Sequence, residues 1–136
     1  MGGQNGLPCF FENMPRSIFV NNLTHPIQQP AHVGYCDSFL CRLRGLMFRS
    51  RLGQDDGLLL VQTRDSRLDS SIHMLFVPFD LAVVWINADM EVVDKVVAKS
   101  WRPAYLPKEK AKFILEIHPN RFNDYNIGDK VEFKNA

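Results

Sequence analysis

The stretch Leu81-Ala82-Val83-Val84-Trp85-Ile86, followed by Asn87-Ala88-Asp89 and then Glu91 to Lys99, decides the fold. An uninterrupted apolar run this short, rich in β-branched and aromatic side chains, is the pattern of a strand covered on both faces. Asn, Ala and Asp then supply turn chemistry, so the chain reverses into a second strand and the pair reads as a hairpin. Trp85, on the most apolar strand, is expected in the core.

Working outward from this hairpin, further short strands are expected at Arg16 to Asn21, Ala31 to Tyr35, Leu58 to Val61, Ile72 to Val77, Lys112 to Ile117 and Lys130 to Phe133. In the last of these Val131 and Phe133 alternate inward and Lys130, Glu132 and Lys134 outward. Asn120 to Asn126 suggests a short helical turn. One amphipathic helix is expected from Asp37, an acceptable N-cap, with Phe39, Leu43, Leu46 and Met47 on one stripe. Residues 1–15, rich in Gly, Asn and Pro, read as a flexible N-terminal arm, and 16–136 as a single domain. The fold class is therefore mostly β: an antiparallel β-sandwich or partly closed barrel with one amphipathic helix packed on it. Alternating residues from Ile72 to Phe133 are expected to enclose one apolar interior.

Composition narrows the function. The 136 residues carry 16 basic and 15 acidic side chains, a net charge of +1, which argues against a broad nucleic-acid-binding face. No stretch reaches the roughly 18 apolar residues of a membrane-spanning helix. The opening MGGQNGLPCFF lacks the basic and apolar regions of a secretion signal. A soluble, cytoplasmic protein is expected, with Cys9, Cys36 and Cys41 as free thiols.

Several blocks together resemble one family. Arg42-Leu43-Arg44-Gly45-Leu46-Met47-Phe48-Arg49 is similar to an RxxGLMxR signature, and Asp56-Gly57-Leu58-Leu59 to the block that follows it. Ile72-His73-Met74 with Phe79-Asp80-Leu81, then Trp101-Arg102-Pro103, Leu115-Glu116 and Gly128-Asp129, continue the order. The chain thus resembles domain-of-unknown-function family 192, small uncharacterised bacterial and archaeal proteins, over roughly residues 31–134. The resemblance implies a mostly-β fold with a single helix and no established activity. Many such relatives are exported.

The residues offer five kinds of candidate chemistry. Arg42, Arg44, Arg49 and Arg51 lie in a stretch without acids, and guanidinium forks suit anion capture. His73 with Asp80 or Glu116 could form a general base with a carboxylate. Cys36 or Cys41 with His32 or His73 could form a thiol site. His25, His32, His73 and His118 share no metal-ligand spacing, so no metal or other cofactor is expected. Trp101, in a loop beside Arg102, could stack on a planar ligand.

The balance favours an uncharacterised, non-catalytic binding domain for a small polar or anionic ligand or a protein partner, with no nucleic acid. Its expected ligand-binding patch comprises Arg44, Arg49, His73, Asp80 and Arg102, with Asp80 orienting an arginine. The alternatives are a hydrolase or transferase using His73 with a carboxylate as general base, and a structural interaction domain.

Overall fold

A computed structural model describes residues 16–38, 41–42, 46, 52–53 and 57–136. Among them seven strands form one sheet: β1 (Ser17–Asn22), β2 (Ala31–Cys36), β3 (Gly57–Ser66), β4 (Leu81–Ile86), β5 (Val92–Ala98), β6 (Ala111–Ile117) and β7 (Val131–Asn135). Their order in space is β5-β4-β6-β3-β2-β1-β7. β2 and β3 run parallel, and every other neighbouring pair is antiparallel. The expected strand-rich, partly closed barrel is therefore present as a mixed sheet curled into a half-barrel.

The curl follows from the two edge strands. Glu91 bridges Lys130, the Val92 N–H donates to Asp129 O, and the Val131 N–H donates to Met90 O. The starts of β5 and β7 are thus laced together at one corner, which shortens the exposed edges.

All six residues of β4 are buried. Leu81, Val83 and Trp85 pack on one face of the sheet with Leu58, Leu60 and Ile114. Ala82, Val84 and Ile86 pack on the other with Leu59, Leu115 and Ile117. The expectation of one interior is corrected: the sheet carries an apolar layer on each face. The inner layer is plugged by Tyr125, whose hydroxyl donates to Val20 O at 2.6 Å and accepts from Ala31 N at 3.1 Å. Burial pushes that phenol up to about 12. The 3-10 helix Pro119–Asp124 delivers Tyr125 and is the helical turn expected there.

The outer layer is covered by residues 67–80. Here a second expectation fails. Ile72 to Val77 is not a strand: only Ile72 makes a bridge, to Tyr105, and the chain then turns. Ile72, Met74 and Val77 are buried as anchors of a loop.

The expected helix falls largely outside the described residues. Its start is visible: the Arg42 N–H donates to Ser38 O, and the Ser38 hydroxyl accepts from the Cys41 N–H. Ser38, not Asp37, is the capping residue. This turn folds Cys41 back onto Cys36 at the end of β2, and the two form a disulfide with Cα atoms 5.6 Å apart. Free thiols at Cys36 and Cys41 are thereby corrected; Cys9 and the N-terminal arm lie outside the described residues.

Gly57 opens β3 where the ladder has no room for a side chain. A Cβ at that position would sit 2.6 Å from the backbone oxygen of Glu116 on β6. Only a glycine lets β3 and β6 approach to ladder distance there.

Candidate functional site

At the start of β4 and the end of β5, two loops dock on each other. The Met74 N–H donates to Arg102 O at 2.8 Å, and Met74 O accepts from the Trp101 N–H at 2.8 Å. Ile72 and Tyr105 exchange both backbone hydrogen bonds, and the Tyr105 hydroxyl accepts from the Lys99 N–H. The anchors beneath are apolar: Met74 is wholly buried.

Each loop ends in a four-residue turn. One runs from Met74 to Val77, closed by the Val77 N–H on Met74 O; the other runs from Lys99 to Arg102, closed by the Arg102 N–H on Lys99 O. Phe76 and Trp101 occupy the third position of their turns, with φ of 62° and 66°. Positive φ at that position ordinarily selects glycine or asparagine. A bulky aromatic there costs about 1–3 kcal/mol of backbone strain, a cost that concentrates at functional sites.

The two rings meet edge to face at 5.3 Å. Both stay exposed, Phe76 by 45% and Trp101 by 54%, and Leu75 and Leu106 add exposed apolar surface nearby. The pair thus forms a half-exposed aromatic ridge on top of the docked loops.

The expected patch residues distribute as follows. His73, Asp80 and Arg102 lie on these adjoining loops. Arg44 and Arg49 lie outside the described residues, as does Arg51. The Asp80 carboxylate does not hold an arginine among the described residues. It accepts from the Ser100 N–H at 2.9 Å and faces Lys99 Nζ at 3.5 Å, fixing the turn that carries Trp101. His73 Nδ1 accepts from the Leu75 N–H at 3.2 Å, a local turn contact. Arg42 donates from Nη1 to Asp37 O and Val61 O, so this member of the arginine cluster ties backbone together.

The general-base arrangement is not assembled here, because no carboxylate among the described residues meets His73. Glu116, the other candidate partner, is buried on β6, level with Leu58 and Val83. Burial raises its carboxyl to about 7. The thiol arrangement is removed by the disulfide. Among the described residues no group of three or more His, Cys, Asp or Glu side chains is placed to hold a metal. None of their helices is long and apolar enough to cross a membrane.

Sequence reasoning missed Phe76, because an apolar residue within an apolar run gives no sign of a left-handed turn. Trp101 was legible from its loop position, though not its partnership with Phe76.

Fold and loops define a class: small, mostly-β domains built on one curled sheet, with loops from its strand ends docked over the outer layer. The chain belongs to domain-of-unknown-function family 192, described as Uncharacterized ACR, COG1430, whose model matches residues 20–133.

It is 40% identical over 104 residues to a UPF0127 protein of Thermococcus gammatolerans, covering 75% of this chain and 66% of that one, just under two thirds of its length. It is 37% identical over 114 residues to a UPF0127 protein of Pyrococcus furiosus, covering 82% of this chain and 95% of the relative. These relatives are archaeal.

Among solved structures, a Sinorhizobium meliloti protein whose name proposes transcription regulation matches with a TM-score of 0.74 at 16% identity, over 87% of this chain and 92% of that one. A Novosphingobium aromaticivorans protein of unknown function matches with a TM-score of 0.69 at 18% identity, over 85% of this chain and 83% of its own. At these identities the likeness concerns the fold alone.

Proposed function

We propose that this protein is a non-catalytic binding domain whose contact surface is the Phe76–Trp101 pair, flanked by His73 and Arg102. The ligand it suits has a flat apolar face and a negative charge. The observation that carries the reading is the pair itself: two large aromatics, each in a backbone conformation that favours glycine, touch each other and stay in water. The exposed Arg102 guanidinium has no carboxylate partner among the described residues and is available to an anion. Asp80 and Lys99 shape the turn rather than bind.

The test is a thermal-shift screen of small anions, nucleotides and acidic peptides, followed by tryptophan fluorescence. A ligand at about 100 times its Kd adds about 2.7 kcal/mol to the folded state. The expected hit alters the fluorescence of exposed Trp101 and loses its effect in Trp101→Gly and Arg102→Gln. A hit that stabilises both variants as well as the parent chain would place binding elsewhere and overturn this reading.

A further inference from the structure

A cleft of about 310 Å³ opens between the approach to β2 and the 3-10 helix, lined by Phe19, Gln29, Pro30, His32 and Arg121. None of its residues belongs to the loop surface described above. Phe19 and His32 are direct cross-strand partners, and their rings stack at 4.6 Å with 27° between planes. His32 Nε2 also lies 3.1 Å from the Ser17 hydroxyl. Phe19, His32 and Pro30 give the cleft flat walls.

Arg121 supplies its hydrogen-bond donors. The side chain is only 14% exposed. Nε donates to the Asp124 carboxylate at 2.8 Å, and Nη2 donates to the carbonyl of Gln29. These two bonds pin the guanidinium plane. A guanidinium has five N–H donors, and among the described residues nothing meets Nη1. A largely buried cation is thus held rigid with donors unspent, beside flat walls.

We propose that this cleft binds a small monocarboxylate with a flat apolar body. The carboxylate meets the unspent Nη donors of Arg121, the body lies against Pro30 and the Phe19–His32 pair, and the Gln29 amide serves a second polar atom. A single negative charge fits because Asp124 already sits on the same guanidinium, so a dianion would meet added repulsion. The site is distinct from the Trp101 surface and stands or falls without it.

Benzoate is the probe, titrated into the full chain and followed by two-dimensional amide NMR, with acetate as the comparison anion. The expected result is saturable shifts centred on Gln29, His32 and Arg121, tighter for benzoate than for acetate. Arg121→Gln should weaken binding at least about tenfold. That variant also loosens the 3-10 helix, so Gln29→Glu is the second test. Gln29 is exposed, its carbonyl still holds Arg121, and the new charge repels a carboxylate. Any benzoate shifts around Trp101 report the separate loop surface and are lost in Trp101→Gly, whereas the shifts at Gln29, His32 and Arg121 persist in that variant. Absence of saturable shifts at Gln29, His32 and Arg121, equal affinity for acetate there, or unchanged binding there in Gln29→Glu would each overturn the proposal.

Discussion

Phe76 and Trp101 meet ring to ring at 5.3 Å from turns joined through the backbone of a single buried residue, Met74. Because each aromatic holds positive φ, glycine at either position relieves strain while deleting the ring. For Trp101→Gly the gain of about 1–3 kcal/mol offsets the lost ring contact of about 0.5–1.5 kcal/mol and the added chain entropy of about 0.5–1 kcal/mol. Urea unfolding should therefore place Trp101→Gly within about 1 kcal/mol of the parent chain. Trp85→Ala, which empties a buried site and strips the Ser70 carbonyl of its 2.7 Å indole donor, should cost about 3–5 kcal/mol. A loss above about 2 kcal/mol for Trp101→Gly would make Trp101 a structural lid.

Glu116 gives the fold an unusual pH dependence. Its carboxyl is buried and raised from the ordinary 4.5 to about 7. The folded state therefore holds a proton that the unfolded chain releases near 4.5. Stability falls as pH rises from about 4.5 to 7, and the penalty is complete above 7, amounting to about 3 kcal/mol. Glu116→Gln mimics the protonated form. It should exceed the parent chain in stability by about that amount at pH 8 and match it below pH 4.5. Equal stability of the two at pH 8 in denaturant titrations would show that the carboxylate ionises without cost.

How far the sequence discloses this architecture depends on the kind of signal. Leu81–Ile86 is legible residue for residue because burial on both faces leaves no polar position to blur it. The same fact already implied two apolar layers, which the expectation of one interior overlooked. The parallel pairing of β2 with β3 was not legible, since nothing local to either strand encodes the direction of a neighbour reached through a long connection. Phe76 hid its turn because turn chemistry is read from Gly, Asn and Asp, and this turn uses strain instead. Of the expected patch, His73, Asp80 and Arg102 do lie on adjoining loops, because loops at strand ends collect polar residues. Arg121 gave no signal: its role comes from contacts with Gln29, distant in sequence.

The disulfide between Cys36 and Cys41 closes a short loop on the rim of the outer layer. Chain-entropy reasoning for a loop this size assigns it about 2 kcal/mol. Thermal melts should fall on adding dithiothreitol and in Cys41→Ser, and Cys41→Ser should no longer respond through this pair. Alkylation under native, non-reducing conditions followed by mass measurement should leave Cys36 and Cys41 unmodified. Labelling of both would show the thiols free and remove the clip.

Asp129 ties the end of β1 to the turn before β7 at the corner where the half-barrel closes. Its carboxylate accepts from Asn22 Nδ2 at 2.7 Å, from the Asn126 N–H at 2.9 Å, and lies 2.8 Å from His25 Nδ1. Burial pushes the carboxyl up, but the hydrogen bonds from Asn126, Asn22 and His25 outweigh it and hold the group below its ordinary 3.8. Its stabilisation is therefore present above that ordinary value and is lost as pH falls through the lower folded value, so acid unfolding should begin at this corner. Asp129→Ala strands the Asn22 and Asn126 donors and should cost about 2–4 kcal/mol at pH 7. Hydrogen exchange should then rise first at Val92 and Val131, whose amides close β5 onto β7. Uniform loss of protection across the sheet would mean that the corner does not open before the rest.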